Sequence, residues 1–408
     1  MMVTFYSRIV NFISSLQLEL SKPQMWHLLA IMQGIILCEG KKTITAFQKT
    51  THQQRHLSCL TRFLAEAPWN HGRLNRGRLR FLRHLIDREH TKQTAGRKVT
   101  FLIVDDTNSI RKPSTKRMER LDFHYAHSEG KSVWSHVVVT LHVVTGALSI
   151  PWDFRPYFRE SMCTQMGIAF KSKVDLAREL IEAYPAAPDE IVYVLMDSWY
   201  SNKALIDACN AKGFQVIAAF KVNRMIYPAG IGIKVSDFAS TYLRRSDLRS
   251  VTVKEDAKYL VYDYEGALSE MENVKALLCW EETFDATVSP FCLLCTDCSL
   301  DLVTILDLYS VRWHIETGYR YFKDLLGFDE YQMGSYKAIE RYWCIQCLTY
   351  AYLEFQRQEW GQSQEITLGD TVRRIRMEHL SNLVVYVYQQ ALNSTPLFQV
   401  LSELKLAA

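Results

Sequence analysis

The sequence predicts a mixed α/β protein with a helical front, a β-rich insertion and a helical tail. Three observations carry this. Apolar residues recur at helical spacing through the first ninety positions, strand-like apolar runs alternate with helices between about 98 and 221, and residues 222 to 300 are β-rich. At 408 residues and 48% hydrophobic, the chain can bury a large core and hold two or three structural units.

In the front segment, MWHLLAIMQGIIL, HLSCLTRFLAEA and RLRFLRHLIDRE read as helices, separated by Gly40 and the Ala67-Pro68-Trp69-Asn70 break. KVTFLIVDDT is an apolar run ending in Asp105 and Asp106, and polar sequence follows to about Lys131. VWSHVVVTLHVVTGALSIPWDF reads as two strands about a Thr145-Gly146 turn. The helix VDLARELIEAY, the buried strand IVYVLMD ending in Asp197, the helix SNKALIDACNAKG and the strand FQVIAAFK complete the core order. We expect boundaries at 1–95 for the helical front, 96–221 and 303–335 for the two parts of the core, 222–302 for the insertion, and 336–408 for the tail.

Charge is uneven. Residues 1–98 hold sixteen Lys/Arg against five Asp/Glu, although the whole chain carries only +4. A basic front on a mildly acidic body suggests a polyanion-binding module, with nucleic acid as its partner. Arg73, Arg76, Arg80 and Arg83 recur at i, i+3, i+7 and i+10, a stripe suited to tracking phosphates, and Arg55 stands near a helix start among Gln53, Gln54 and His56. Ordinary helix-surface polarity is the competing reading of both features. MMVTFYSRIVNF lacks the apolar core of a signal peptide and MWHLLAIMQGIIL is too short to span a bilayer, so a cytoplasmic location is expected. The ten scattered cysteines read as reduced thiols; the zinc-like spacing of Cys292, Cys295 and Cys298 falls in a strand-like run, and Cys344 and Cys347 lie on an apolar helix.

Late in the chain, DLYSVRWHIETGYRYFKDLLGF places Tyr309, Arg312, Glu316 and Lys323 within an arc of about 60° on one ideal helix. The other side carries Leu308, Val311, Ile315, Phe322, Leu325 and Leu326. Alone, such a stripe reads as a solvated helix face. Together with aspartates ending two strands upstream, it suggests three carboxylates, Asp105 or Asp106, Asp197 and Glu316, brought to one point. Like charges so placed repel, and one or two Mg²⁺ ions with hard oxygen ligands would resolve the crowding.

The spacing Y-x2-R-x3-E-x6-K, met by Tyr309, Arg312, Glu316 and Lys323, resembles the signature of bacterial insertion-sequence transposases of the DDE class, of the family-four and family-701 types. VDDTNSI, VLMDSWYS and LYSVRWHIE look like that group's three catalytic blocks in order. The resemblance implies an RNase H-like mixed-sheet core interrupted by a β-strand insertion, and a helical front domain that binds terminal inverted repeats. It implies cut-and-paste DNA transposition with Mg²⁺, or Mn²⁺ in its place, by a homodimer that joins two DNA ends. Asp197 and Glu316 carry over as catalytic metal ligands. The first carboxylate is Asp105 by the apolar–Asp–any–Thr pattern with Thr107, or Asp106 by another alignment. Tyr309, Arg312 and Lys323 would contact DNA phosphates. Trp313 and Trp280 either stack on an unpaired base or serve as core aromatics; His136 and Trp134 read as structural. The rival reading is a non-catalytic DNA-binding repressor or a domesticated transposase derivative.

Overall fold

The computed structural model describes residues 6–50, 56–93, 98–115, 117–126, 129–253, 257–361 and 366–404. Helices α1 (Ser7–Ser15), α2 (Lys22–Leu37), α3 (Ile44–Thr50), α4 (Leu57–Ala65) and α5 (His71–His90) come first. Strands β1 (Lys98–Ile110), β2 (Asp122–Ala126), β3 (Lys131–Thr145) and β4 (Leu148–Tyr157) precede α6 (Glu160–Met166), α7 (Lys173–Glu182), β5 (Glu190–Met196), α8 (Lys203–Ala211) and β6 (Gln215–Ala219). The insertion contains β7 (Met225–Ile226), β8 (Ile233–Lys234), α9 (Val235–Thr241), β9 (Arg249–Thr252), β10 (Lys258–Leu268), β11 (Met271–Glu281) and β12 (Phe291–Cys295). The chain closes with α10 (Leu302–Ser310), α11 (Trp313–Arg320), a π-helical turn at Tyr321–Leu325, α12 (Tyr336–Trp360), α13 (Leu368–Leu392) and α14 (Leu397–Glu403).

These elements form two compact units, Met1–Arg88 with Asn108–His136 and Gly318–Ala408, and Glu89–Thr107 with Val137–Thr317. In the first unit the front helices pack with the tail helices. Ser21 and Gln24 form a capping box at the start of α2, and every residue from Leu28 to Leu37 is buried, as a helix apolar all round requires. Helix α12 packs against α2 and α4. Its Arg341, buried to 2% exposure, donates to the carbonyls of Phe63 (3.3 Å), Leu64 (2.9 Å), Ala67 (2.9 Å) and Trp69 (2.5 Å). One guanidinium thus gathers carbonyls at and just beyond the C-terminal end of α4, two of which also accept from Trp69, while its Cζ lies 4.5 Å from the Trp69 ring centre.

The second unit is a mixed sheet in the order β4-β3-β1-β5-β6-β12-β11-β10, with β9 also paired to β10. Strands β1, β5 and β6 are parallel, as the continuous apolar runs predict, and helices α7 and α8 lie in the connections between β4, β5 and β6. The β3–β4 hairpin turns at Gly146, whose φ of +52° suits glycine and whose absent side chain leaves room for Glu89. The insertion continues this sheet: β12 pairs antiparallel with β6, then β11 and β10 follow.

Two features depart from the sequence expectation. The polar stretch before Lys131 contains β2, paired with the first residues of β3 in the first unit, where edge pairing needs no apolar alternation. Strand β1 does not stop at its aspartates but runs on to Ile110; what ends at Val104 is its pairing with β5. All ten cysteines are free thiols. Among the described residues no helix is long and apolar enough to cross a membrane.

Arg341→Met should take this donor from the Leu64 and Trp69 carbonyls, while Trp69 still donates to those of Phe63 and Ala67, and lower stability by about 3 kcal/mol. A urea-denaturation midpoint equal to wild type would contradict the capping role.

Candidate active site

Parallel pairing of β1 with β5 sets Val104 opposite Met196, so Asp105 and Asp197 are the next residues on neighbouring strands. Both strands are buried over the last residues that pair, Leu102–Val104 and Val194–Met196, and a charge at this end is tolerated only where the pairing stops. Burial pushes the Asp105 carboxyl up to about 7, and the negative charges of Asp106 and Asp197 push the same way. The Asp106 N–H, donating to Asp105 Oδ1 at 2.8 Å, and the nearby Arg312 charge oppose that rise. Asp197 is oriented by its own turn: Oδ1 accepts the backbone N–H groups of Trp199 (2.9 Å) and Tyr200 (3.1 Å).

Asp106 sits differently. Its Oδ2 accepts from Lys173 Nζ at 2.7 Å and its Oδ1 from the Tyr200 hydroxyl at 2.9 Å, so both oxygens are engaged. Lys173 in turn lies 5.2 Å from the Trp199 ring centre and 5.7 Å from that of Tyr157. Adjacent positions on a strand point to opposite faces, and here one aspartate is neutralised by an ion pair while its neighbour shares a level with Asp197. Sequence reasoning missed Lys173 and Tyr200. Tyr200 is traceable only as part of DSWYS, and nothing local in the sequence ties Lys173, the first residue of α7, to Asp106.

The late helix is not one ideal helix. The amides of Val311, Arg312, His314 and Ile315 each bond three residues back, a tight turn that separates α10 from α11, and the chain then loosens into the π-turn at Tyr321–Leu325. Overwinding and then underwinding break the 100° increment on which the single stripe depended. Ile315, Phe322 and Leu326 are buried as expected, whereas Leu308, Val311 and Leu325 are half-buried.

Tyr309 and Arg312 remain at the second unit's aspartates. The Tyr309 hydroxyl donates to the carbonyl of Met196 at 3.4 Å, and its ring packs 5.9 Å from Phe291. Burial pushes this phenol up to about 12, with Asp197 adding to the rise and Arg312 opposing it. Arg312 Nη2 pairs with Glu316 Oε1 at 2.9 Å. Trp313 is 64% exposed and its ring centre lies 6.0 Å from the Arg312 guanidinium. Lys323, on the π-turn, belongs to the first unit; burial lowers its pKa, with Asp329 and Asp324 opposing.

Three carboxylates at one point were expected, but the structure juxtaposes two. Among the described residues no three His, Cys, Asp or Glu side chains form a ready-made metal cage, and Glu316 instead holds Arg312. The Asp105–Asp197 pair nevertheless fits a hard dication: it offers only carboxylate oxygens, and its mutual repulsion is what such an ion would relieve.

Elsewhere in the second unit, Trp280 is a core residue, 4% exposed, donating to the Val288 carbonyl at 3.0 Å and packed on Phe284. That burial excludes it as a base-stacking surface. In the first unit, His136 is buried between the Tyr331 hydroxyl (2.7 Å) and the Glu119 carbonyl (2.8 Å), and Trp134 donates to the Thr115 carbonyl at 3.2 Å. On α5, Arg73, Arg76 and Arg80 are exposed; Arg73 pairs with Glu19, and the half-buried Arg83 pairs with Asp87 at 2.6 Å. Arg55 lies outside the described residues.

A mixed sheet with aspartates side by side at the limit of two parallel strands belongs to the class of acid-lined α/β enzymes. Residues 16–241 match the family described as DDE superfamily endonuclease. That match spans more than half of the chain, and the protein belongs to this superfamily, whose members act on DNA with divalent metals as nucleases and transposases. No curated protein matches the chain. The matched segment includes Asp105, Asp106 and Asp197 and ends before Tyr309, Arg312 and Glu316.

A carboxyl whose pKa rises on folding holds its proton more tightly folded than unfolded. The contribution of Asp105 to the stability of the metal-free protein therefore falls as pH rises from about 4 to about 7. Asp105→Asn should remove that loss, gaining on the order of 1–3 kcal/mol over wild type at pH 8 and almost nothing at pH 4. Equal gains at both pH values, read by thermal melting, would refute the charge repulsion.

Proposed function

We propose that this chain is a cut-and-paste DNA transposase of the insertion-sequence type carrying the Tyr-Arg-Glu-Lys signature. It binds the terminal inverted repeats of its element, cleaves at the ends by metal-dependent hydrolysis and joins the released 3′-hydroxyls to target DNA. The observation that carries this reading is the in-register Asp105–Asp197 pair with Arg312 beside it, in a chain of the DDE superfamily.

Asp105 and Asp197 hold Mg²⁺, or Mn²⁺ in its place, with Glu316 as the third carboxylate. When bound, the metal supplies activation of the attacking oxygen and stabilisation of the leaving one. The engagement of both Asp106 oxygens by Lys173 and Tyr200 favours Asp105 as the first carboxylate. Arg312 offers a planar, always-charged donor set to a phosphate oxygen, and Lys323 adds a point charge by the same signature. Tyr309, fixed on the Met196 carbonyl, holds the start of this segment at the strand end. The exposed Trp313 ring stacks on a base near the cleavage point. Arg73, Arg76 and Arg80, with Arg83 and Arg55, track DNA phosphates without reading sequence. Two copies bring the two ends together.

The test uses DNA carrying the inverted repeats that flank this reading frame. Cleavage should require Mg²⁺ or Mn²⁺ and fall at least about a hundredfold in Asp197→Ala and in Glu316→Gln. Full cleavage by both variants would sink the assignment; nicking without joining would instead indicate a nuclease, and binding without nicking a non-catalytic DNA-binding protein.

A further inference from the structure

Glu316 does not complete a cage with Asp105 and Asp197, and its partner is a cation of its own chain. Its Oε1 accepts from Arg312 Nη2 at 2.9 Å, and the same guanidinium charge acts on Asp105. All four residues belong to the second unit. One positive charge thus serves both the acid at the strand end and the acid on α11, a service a dication would otherwise give. The Glu316 side chain is 39% exposed and that of Arg312 18%, so the pair is open to a ligand arriving from outside.

The backbone gives Glu316 somewhere to go. Between Tyr309 and Glu316, the amides of Val311, Arg312, His314 and Ile315 bond three residues back. Such a turn advances about 120° per residue instead of 100°, and over four residues carries Glu316 about 80° round the axis. Relaxed to a regular helix, the segment would return Glu316 to within about 20° of Tyr309. Tyr309 is itself fixed on the Met196 carbonyl, one residue before Asp197. The competitor for Arg312 follows from its shape. Glu316 accepts from one nitrogen, whereas a phosphate can take two parallel N–H donors of the guanidinium fork.

We propose that Arg312 is a lock on the metal site: in the free chain it ties up Glu316, and a DNA phosphate that takes the guanidinium releases Glu316 to join Asp105 and Asp197. Metal and DNA then each raise the affinity for the other by the same factor. The DNA half of this rests on the transposase reading, while the Arg312–Glu316 hold is a property of the free chain.

The test measures Mn²⁺ binding to the full chain by loss of the free-ion electron paramagnetic resonance signal. Without DNA, Glu316→Gln should stay within about twofold of wild type, because a locked Glu316 is no ligand. Arg312→Gln should tighten binding about thirtyfold, but only about threefold when Glu316→Gln is also present, the smaller gain being the loss of a repelling charge. On duplex DNA carrying the flanking repeats, Glu316→Gln alone should weaken binding about tenfold. Equal gains from Arg312→Gln in both backgrounds overturn the lock. So does a Glu316→Gln effect of the same size with and without DNA, a comparison that needs no change at Arg312 and so decides even if Arg312→Gln does not fold. The free-chain measurements contain no DNA, so failed cleavage with this cycle intact would sink the transposase reading alone.

Discussion

The register of two parallel strands is the constraint on which the site depends. Because Val104 faces Met196, the residues that follow are both aspartates, at one level and on one face. A slip of one residue would turn Asp105 to the opposite face and put Asp106 in its place. The apolar runs that bury β1 and β5 enforce the register, since any slip would carry charge into the paired region. Neighbouring groups are arranged around that fixed point. Lys173 and Tyr200 take Asp106 out of the repulsion, the Asp197 turn orients its carboxylate, and Tyr309 anchors the following helix to the carbonyl that ends β5.

The site is therefore held against an electrostatic gradient. Asp105 is easier to fold protonated than ionised, which is a stability cost borne at a place where hard anionic oxygens have a use. Arg312 offsets part of the cost while already paired with Glu316, so its charge is shared between two acidic neighbours. Such a cluster is close to balance only as a whole: removing one cation or one carboxylate changes the field at every other member.

Much of this was legible in the sequence. The IVYVLMD strand, the Thr145-Gly146 hairpin and the α2, α4, α5, α7 and α8 helices follow from period, propensity and punctuation, and the two candidate first aspartates were named. What was hidden depends on contacts rather than period. Periodicity shows which face of a helix is apolar, but not that Lys173 meets Asp106 or that Arg341 meets the end of α4. The single Tyr309–Lys323 stripe failed because a tight turn and a π-turn change the angular increment without any proline or glycine between Tyr309 and Arg312 to signal it. Trp280 stood open between a base-stacking and a core role because its partner Phe284 lies beyond the strand end.

The Arg341 contact also has a meaning for the order of synthesis. It joins residues 277 positions apart, Leu64 to Arg341, within the unit that carries the α5 arginines. At roughly 10 residues per second, about half a minute separates the two during translation. Over that interval the end of α4 emerges without its cap, while the strands bearing Asp105 and Asp197 are already made. A product stopped short of α12 would carry the basic helices and both aspartates but lack the residue that seats α4. An incomplete copy is thus marked by its own missing keystone.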